Sequence, residues 1–370
     1  MANVSVKQIE SGVRIIEDVY TPMGGKLFSK GRLLNQRDIE ILKAFLVSTV
    51  SVEDKQEEKE AEKAAKQATK QEKPVDKAPV QERPTKKVVP NTGLHAAYRS
   101  LFTSLKQYFI SASSGMMAPV LDLRNQLDQV IAHIHEYNML TFEPPYAQKG
   151  DYLIHNSVQV ALTSYQLAKW HNIERKDWIP IAMAGLLHDI GMVRIDESIV
   201  RKADKLSKEE LEEIRRHTII GYNMLKSVTG INEAVKLTAL QHHERVNGSG
   251  YPLGVSGDKI HYYAKIVAIA DIFHAMTSDR AHQKGSSPYT VLEELLNESF
   301  GKLDPALVQT FIHKVTQFHN GTLVRLSDQS VGEIVFSDRS SPTRPWVNVN
   351  GKIINLTVDR HLHIVEVLST

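Results

Sequence analysis

His242-His243-Glu244-Arg245-Val246-Asn247-Gly248-Ser249-Gly250-Tyr251-Pro252 joins two adjacent imidazoles to a glycine-rich turn that ends on an aromatic ring. Working outward, the chain places His155, His188-Asp189 and His217 before this stretch and Asp271 after it. Asp189 follows the apolar run from Ile179 to Leu187, and Asp271 lies inside Val267-Ala268-Ile269-Ala270-Asp271-Ile272-Phe273. A charged side chain on an apolar helix is costly unless something compensates it. Each imidazole offers one lone pair, and a carboxylate can bridge two ions through its two oxygens. Taken singly, every one of these residues reads as structural. Together, five imidazoles and two carboxylates on successive helices call for shared cations. Two divalent metals about 3.5–4 Å apart form a clamp for phosphoryl chemistry, so the pattern points to metal-dependent phosphoester hydrolysis. His242 and His243 point roughly 100° apart on a helix. They can serve one ion together only near a helix end, or else they line different edges of a site.

The bulk composition narrows the class. The 370 residues are 42% hydrophobic, enough for a sizeable core and more than one module. A net charge of +2 argues against binding a nucleic-acid polymer through a basic face. With no cysteine there is neither a disulfide framework nor a thiolate metal site. No run resembles a signal peptide or reaches the roughly 18 apolar residues of a membrane span. The expectation is a cytoplasmic chain.

Five segments follow. Residues 1–53 alternate short apolar runs with turns around one helix at Gln36–Leu46. They predict a small α+β module with strands at 13–16, 26–28 and 50–52. Residues 54–90 carry four prolines and no aromatic, Leu, Ile or Met, and predict a disordered charged linker. Residues 91–150 are a helical lead-in, with Leu101, Leu105, Phe109, Leu121, Leu127, Ile131 and Ile134 at helical spacing. Residues 151–318 are helical nearly throughout. Ser207 with Glu210 predicts a capping box, and Ser287-Pro288 and Asp304-Pro305 predict helix starts. Residues 319–370 predict a small β module with strands at 323–326, 332–336, 346–349 and 363–367.

These motifs resemble the HD-GYP domain, a subgroup of the HD phosphohydrolase superfamily that hydrolyses cyclic di-GMP. The likeness runs from Asp151 to about Ile312. It rests on His155, His188-Asp189-Ile190-Gly191, His217, His242-His243-Glu244, Asn247 to Pro252, Asp271 and Thr277-Ser278-Asp279-Arg280. It implies a mainly α fold, an HD-type multi-helix domain with a small α+β N-terminal module and a β-rich C-terminal one. It also implies that His155, His188, Asp189 and Asp271 hold one metal, and Asp189, His217, His242 and His243 the other. Iron or manganese is favoured over zinc by the resemblance. Asp151 stands one turn before His155, where some members have a Glu that helps hold a third metal. It reads equally as an acid favoured at a helix N-terminus by the macrodipole.

The implied reaction is hydrolysis of cyclic di-GMP to linear pGpG, with a second cleavage to GMP left open, and with His188 and Asp189 at its catalytic centre. The turn must overhang the site. Gly248 and Gly250 would permit positive φ, and Tyr251, followed by Pro252, would offer a flat ring to a purine or ribose. Arg280 and Lys284 are candidate phosphate contacts. Two positions depart from the family: Met192 replaces the lysine of His-Asp-Ile-Gly-Lys, and His274 replaces an acid three residues after Asp271. They leave open an HD hydrolase acting on another nucleotide; the other alternative, a catalytically weak cyclic di-GMP receptor, is one that loss of a metal ligand would favour, and every ligand position is filled. The partners implied are the cyclic dinucleotide, a second copy in a homodimer, and a signalling protein on the terminal modules.

Overall fold

In the computed structural model of the chain, the described residues are 2–6, 9, 12–20, 26–28, 30–34, 38, 39, 42, 47, 49–52, 93–142, 144, 151–202, 204–278, 285–317, 321–338 and 340–368. The expected linker at 54–90, Arg280 and Lys284 lie outside them.

The centre of the molecule is set by helices that are apolar almost all round, a pattern that buries a helix on every side. These are α3 (Tyr152–Trp170), α4 (Arg175–Leu187) and α9 (Tyr262–Thr277); from Tyr263 to His274, all but two residues of α9 are buried. Helices α3 and α4 cross closely because Gly185 has no side chain: a β-carbon there would stand 3.0 Å from the Ala161 Cα. Around this centre lie α1 (Gly93–Ser113), α2 (Leu121–Ala132), the short α5 (Glu197–Val200), α6 (Lys208–Arg215), α7 (His217–Lys226), α8 (Glu233–Gln241), α10 (Pro288–Glu298) and α11 (Pro305–Val315).

One continuous core runs from Leu94 to Ile312, so α1 and α2 share it with the helices that follow. Leu121, expected on the apolar side of α2, is 67% exposed, because it opens the helix at the surface and leaves Leu123, Leu127 and Val130 to face the core.

Local chemistry starts the helices where expected. Ser207 and Glu210 form a reciprocal capping box on α6. Ser287 and Asp304 cap α10 and α11 ahead of their prolines. Asn232 caps α8, and the His261 ring caps α9 by accepting from the Tyr263 N–H.

In the N-terminal module three antiparallel pairs form: β1 (Ala2–Ser5) with β6 (Thr49–Val52), β2 (Val13–Arg14) with β5 (Leu33–Leu34), and β3 (Val19–Tyr20) with β4 (Lys26–Phe28). Ile15, Leu34, Ile39 and Leu42 are among its core residues.

The C-terminal module is one antiparallel sheet of β7 (Leu323–Leu326), β8 (Val331–Phe336), β9 (Trp346–Val349), β10 (Lys352–Asn355) and β11 (Ile364–Val367), in the order β10-β9-β8-β7-β11. Strand β10 was not among the expected strands. It is turned back on β9 by Asn350 and Gly351, both at positive φ, 52° and 89°, which is the two-residue hairpin that Asn-Gly favours. The sheet packs on α10: Tyr289 joins its core, Arg344 makes a bidentate ion pair with Glu293, and the Ser287 hydroxyl donates to the Ile364 carbonyl at 2.7 Å. Among the described residues no helix is long and apolar enough to cross a membrane.

Candidate metal centre

Four structural pieces converge on Asp189. The first is the end of α4, where His188 and Asp189 leave the helix and enter a 3-10 turn at Ile190–Arg194. The second is the first residue of α7, His217. Gly191 brings the two together: a β-carbon on it would lie 1.9 Å from the His217 carbonyl oxygen. The third is the end of α8, where His242 is the C-cap and His243 follows it, so the pair sits where a helix ends. The fourth is α9, which supplies Asp271 from its buried face.

The donor atoms form two groups that share Asp189. Asp189, His217, His242 and His243 each offer a ligand atom within 4.8 Å of the others, and so do His188, Asp189 and Asp271. The Asp189 Oδ1 lies 3.2 Å from His217 Nε2 and 3.6 Å from His242 Nε2. Its Oδ2 lies 3.4 Å from His188 Nε2, which is also 3.4 Å from Asp271 Oδ1.

The other nitrogen of three rings is committed to the backbone. His188 Nδ1 bonds the Gly185 carbonyl at 2.8 Å, His217 Nδ1 that of Ile214 at 2.7 Å, and His242 Nδ1 that of Thr238 at 3.1 Å. A carbonyl only accepts, so Nδ1 carries a proton in each ring, which directs Nε2 toward the cluster and toward any ion held there.

Electrostatics fit a cation. Burial would lower the His188 imidazole, but the Asp189 and Asp271 carboxylates beside it hold it well above its usual value. Burial would raise Asp189, and the His188 ring, then His217 and His242, hold it well below the usual carboxylate range. His242 and His243 are pushed down by burial and stay neutral donors. His188 Nε2 is buried and makes no hydrogen bond. Two carboxylates held in the charged form amid a cluster of imidazoles, of which His242 and His243 stay neutral, suit divalent ions. This donor set by itself does not choose the metal.

Not every expected residue joins the cluster. His155 is buried beside it, but it belongs to neither group; its Nδ1 faces the Tyr98 hydroxyl at 3.1 Å and its ring stacks on Phe102 at 4.4 Å. The next residue, Asn156, touches the centre by donating to Asp271 Oδ1 at 3.1 Å. Asp151 is ion-paired with Lys106 at 2.7 Å and stands outside both groups. His274 brings no charge: it is buried against the Thr163 hydroxyl at 2.7 Å, and burial pushes it down to about 3.

The glycine-rich turn is held by a residue whose part was not foreseen. Glu244, buried, accepts from the Leu253 N–H at 2.7 Å and the Val255 N–H at 3.1 Å, folding the turn back over the His pair. Gly248 does take positive φ, 79°. Gly250 does not, which corrects the expectation. It is glycine because a β-carbon would lie 2.5 Å from the Glu244 Cα and 2.4 Å from the Arg245 nitrogen. Tyr251, joined to Pro252 by a cis bond, stacks on His243 at 4.7 Å, and the Arg215 guanidinium lies 5.1 Å from its ring centre. An acid directly after the His pair and four residues before Gly248 was the available signal for Glu244.

Residues 141–307 match the family model described as HD domain. Over 209 residues the chain is 29% identical to the cyclic di-GMP phosphodiesterase PdeB of Borreliella burgdorferi, covering 56% of this chain and 55% of that protein. Over 172 residues it is 33% identical to the 3'3'-cGAMP-specific phosphodiesterase 1 of Vibrio cholerae, covering 46% of this chain and 40% of that protein. The chain thus spans about half or less of these relatives' own lengths. An HDG"Y"P protein from Bdellovibrio bacteriovorus shares the fold, with a TM-score of 0.50 at 16% identity over 84% of this chain and 97% of that one.

Proposed function

We propose that this chain, whose residues 141–307 match the HD domain family model and which resembles the HD-GYP subgroup, is a metal-dependent phosphodiesterase. Its substrate is cyclic di-GMP, opened to linear pGpG. The observation that carries this reading is the position of Asp189, whose two oxygens face His217 and His242 on one side and His188 on the other. One carboxylate therefore serves both groups of donors. Divalent ions held by them, iron or manganese in this reading, supply Lewis-acid neutralisation of phosphoryl charge and a nucleophile at neutral pH.

The chain's own residues do the rest. The backbone carbonyls of Gly185, Ile214 and Thr238 fix three rings in one tautomer, so that no reorientation is needed when the substrate arrives. Glu244 fixes the turn that carries Tyr251, and that ring beside His243 offers a face to a guanine base or its ribose. Arg280 and Lys284 complete the proposed phosphate contacts. His155 and Asp151 complete the proposed ligand set, His155 through Nε2 with its Nδ1 facing Tyr98, and Asp151 beside Lys106. The name of the Borreliella relative supports the substrate class.

A second reading, hydrolysis of another cyclic dinucleotide such as 3'3'-cGAMP, is favoured by Met192, where the family's lysine would stand. The name of the Vibrio relative supports it. The test is the full chain, reconstituted anaerobically with iron or manganese and incubated with cyclic di-GMP, 3'3'-cGAMP and mononucleotides, with chromatography of the products. Formation of pGpG is expected. Preference for 3'3'-cGAMP selects the second reading, and cleavage of neither overturns both.

A further inference from the structure

We infer that Arg215 is a further substrate-contacting residue, binding a phosphate of the cyclic dinucleotide and supplying the cation that Met192 does not. The inference rests on the functional reading above. Arg215 ends α6, two residues before His217. Its guanidinium carbon lies 5.1 Å from the centre of the Tyr251 ring, and that ring stacks on His243 at 4.7 Å, so Arg215 is two ring contacts from the donor cluster.

The guanidinium has donors to spare. Nη1 bonds Glu212 at 2.6 Å, but that partner's side chain is 66% exposed, and such surface pairs hold weakly. Nε is buried and finds no acceptor in the protein. A buried donor without an acceptor is unusual in a folded chain, and a phosphate oxygen matches it, since a planar guanidinium binds phosphate through paired N–H groups. The neighbouring alternatives are already engaged. Arg245 spends Nη1 on the carbonyls of His242 and Glu244, and His274 is neutral and turned to Thr163.

The test compares the metal-loaded full chain with Arg215→Met and Arg215→Lys on cyclic di-GMP. Methionine keeps contact with Tyr251 through its thioether and loses only the charge; lysine keeps the charge and loses the planar fork. Arg215→Met is expected to raise KM about tenfold, equivalent to 1.4 kcal/mol, with kcat and metal content close to wild type. Arg215→Lys is expected to recover most of that loss. The rise of KM with added salt, which screens ionic contacts, is expected to flatten in Arg215→Met. A wild-type KM and salt response in Arg215→Met overturns the inference, as does a fall in kcat alone. A wild-type chain that cleaves no cyclic dinucleotide overturns the functional reading and this inference together.

Discussion

Gly191 and His217 meet backbone to backbone, so closely that a β-carbon on Gly191 would stand 1.9 Å from the His217 carbonyl oxygen. Gly221 stacks on the same contact, with its nitrogen 2.6 Å from that position. The turn after Asp189 is thereby locked to the start of α7, which leaves Asp189 Oδ1 3.2 Å from His217 Nε2.

Gly191→Ala must push these segments apart. Overpacking of this kind costs about 1–3 kcal/mol, and the displacement falls on His217. We expect a lower thermal midpoint and loss of the ion held by the Asp189-His217-His242-His243 group, read by calorimetry and elemental analysis. Wild-type values for both would show that the contact does not position the site.

Glu244→Ala removes the acceptor of the Leu253 and Val255 N–H groups. Each amide left without a partner costs about 1–3 kcal/mol, so the turn should open while the His pair stays in place. The expected result is new proteolytic cleavage near Leu253, which is already 55% exposed, and a higher KM with metal content retained. A turn as resistant as wild type would assign Glu244 no holding role.

Glu333 gives a pH signature in the C-terminal sheet. Burial pushes its carboxyl up to about 7, above the roughly 4.3 of an unfolded glutamate. The folded state therefore binds the proton more tightly, and stability falls as pH rises between those values. Glu333→Gln mimics the protonated form. Its thermal midpoint should match wild type near pH 4 and exceed it above pH 7, by an amount reduced because Glu333 is only partly buried. Parallel curves for the two proteins would contradict this.

Much of the fold and site could be read in advance because the signals were local or costly. Acids in apolar helices demand compensation wherever they lie, and Asp189 and Asp271 met it together. Caps at Ser207, Ser287 and Asp304 are decided within three residues. What escaped depends on distant partners. Tyr98 reaches His155 from 57 positions away, and Lys106 claims Asp151 from 45. The need for glycine at 250 arises from the packing of the turn on Glu244, not from its own φ. Strand β10 is the exception, since the local Asn350-Gly351 turn marks it.

Metal content tests the central claim most directly. The full chain, purified anaerobically and analysed for iron, manganese and zinc beside Asp189→Ala and His217→Ala, is predicted to hold two or more ions per chain. Asp189→Ala is predicted to hold none stably and to lose turnover, and His217→Ala to lose at least one ion. A wild-type chain that binds no metal after reconstitution, or an Asp189→Ala variant with full metal content and activity, would contradict the account.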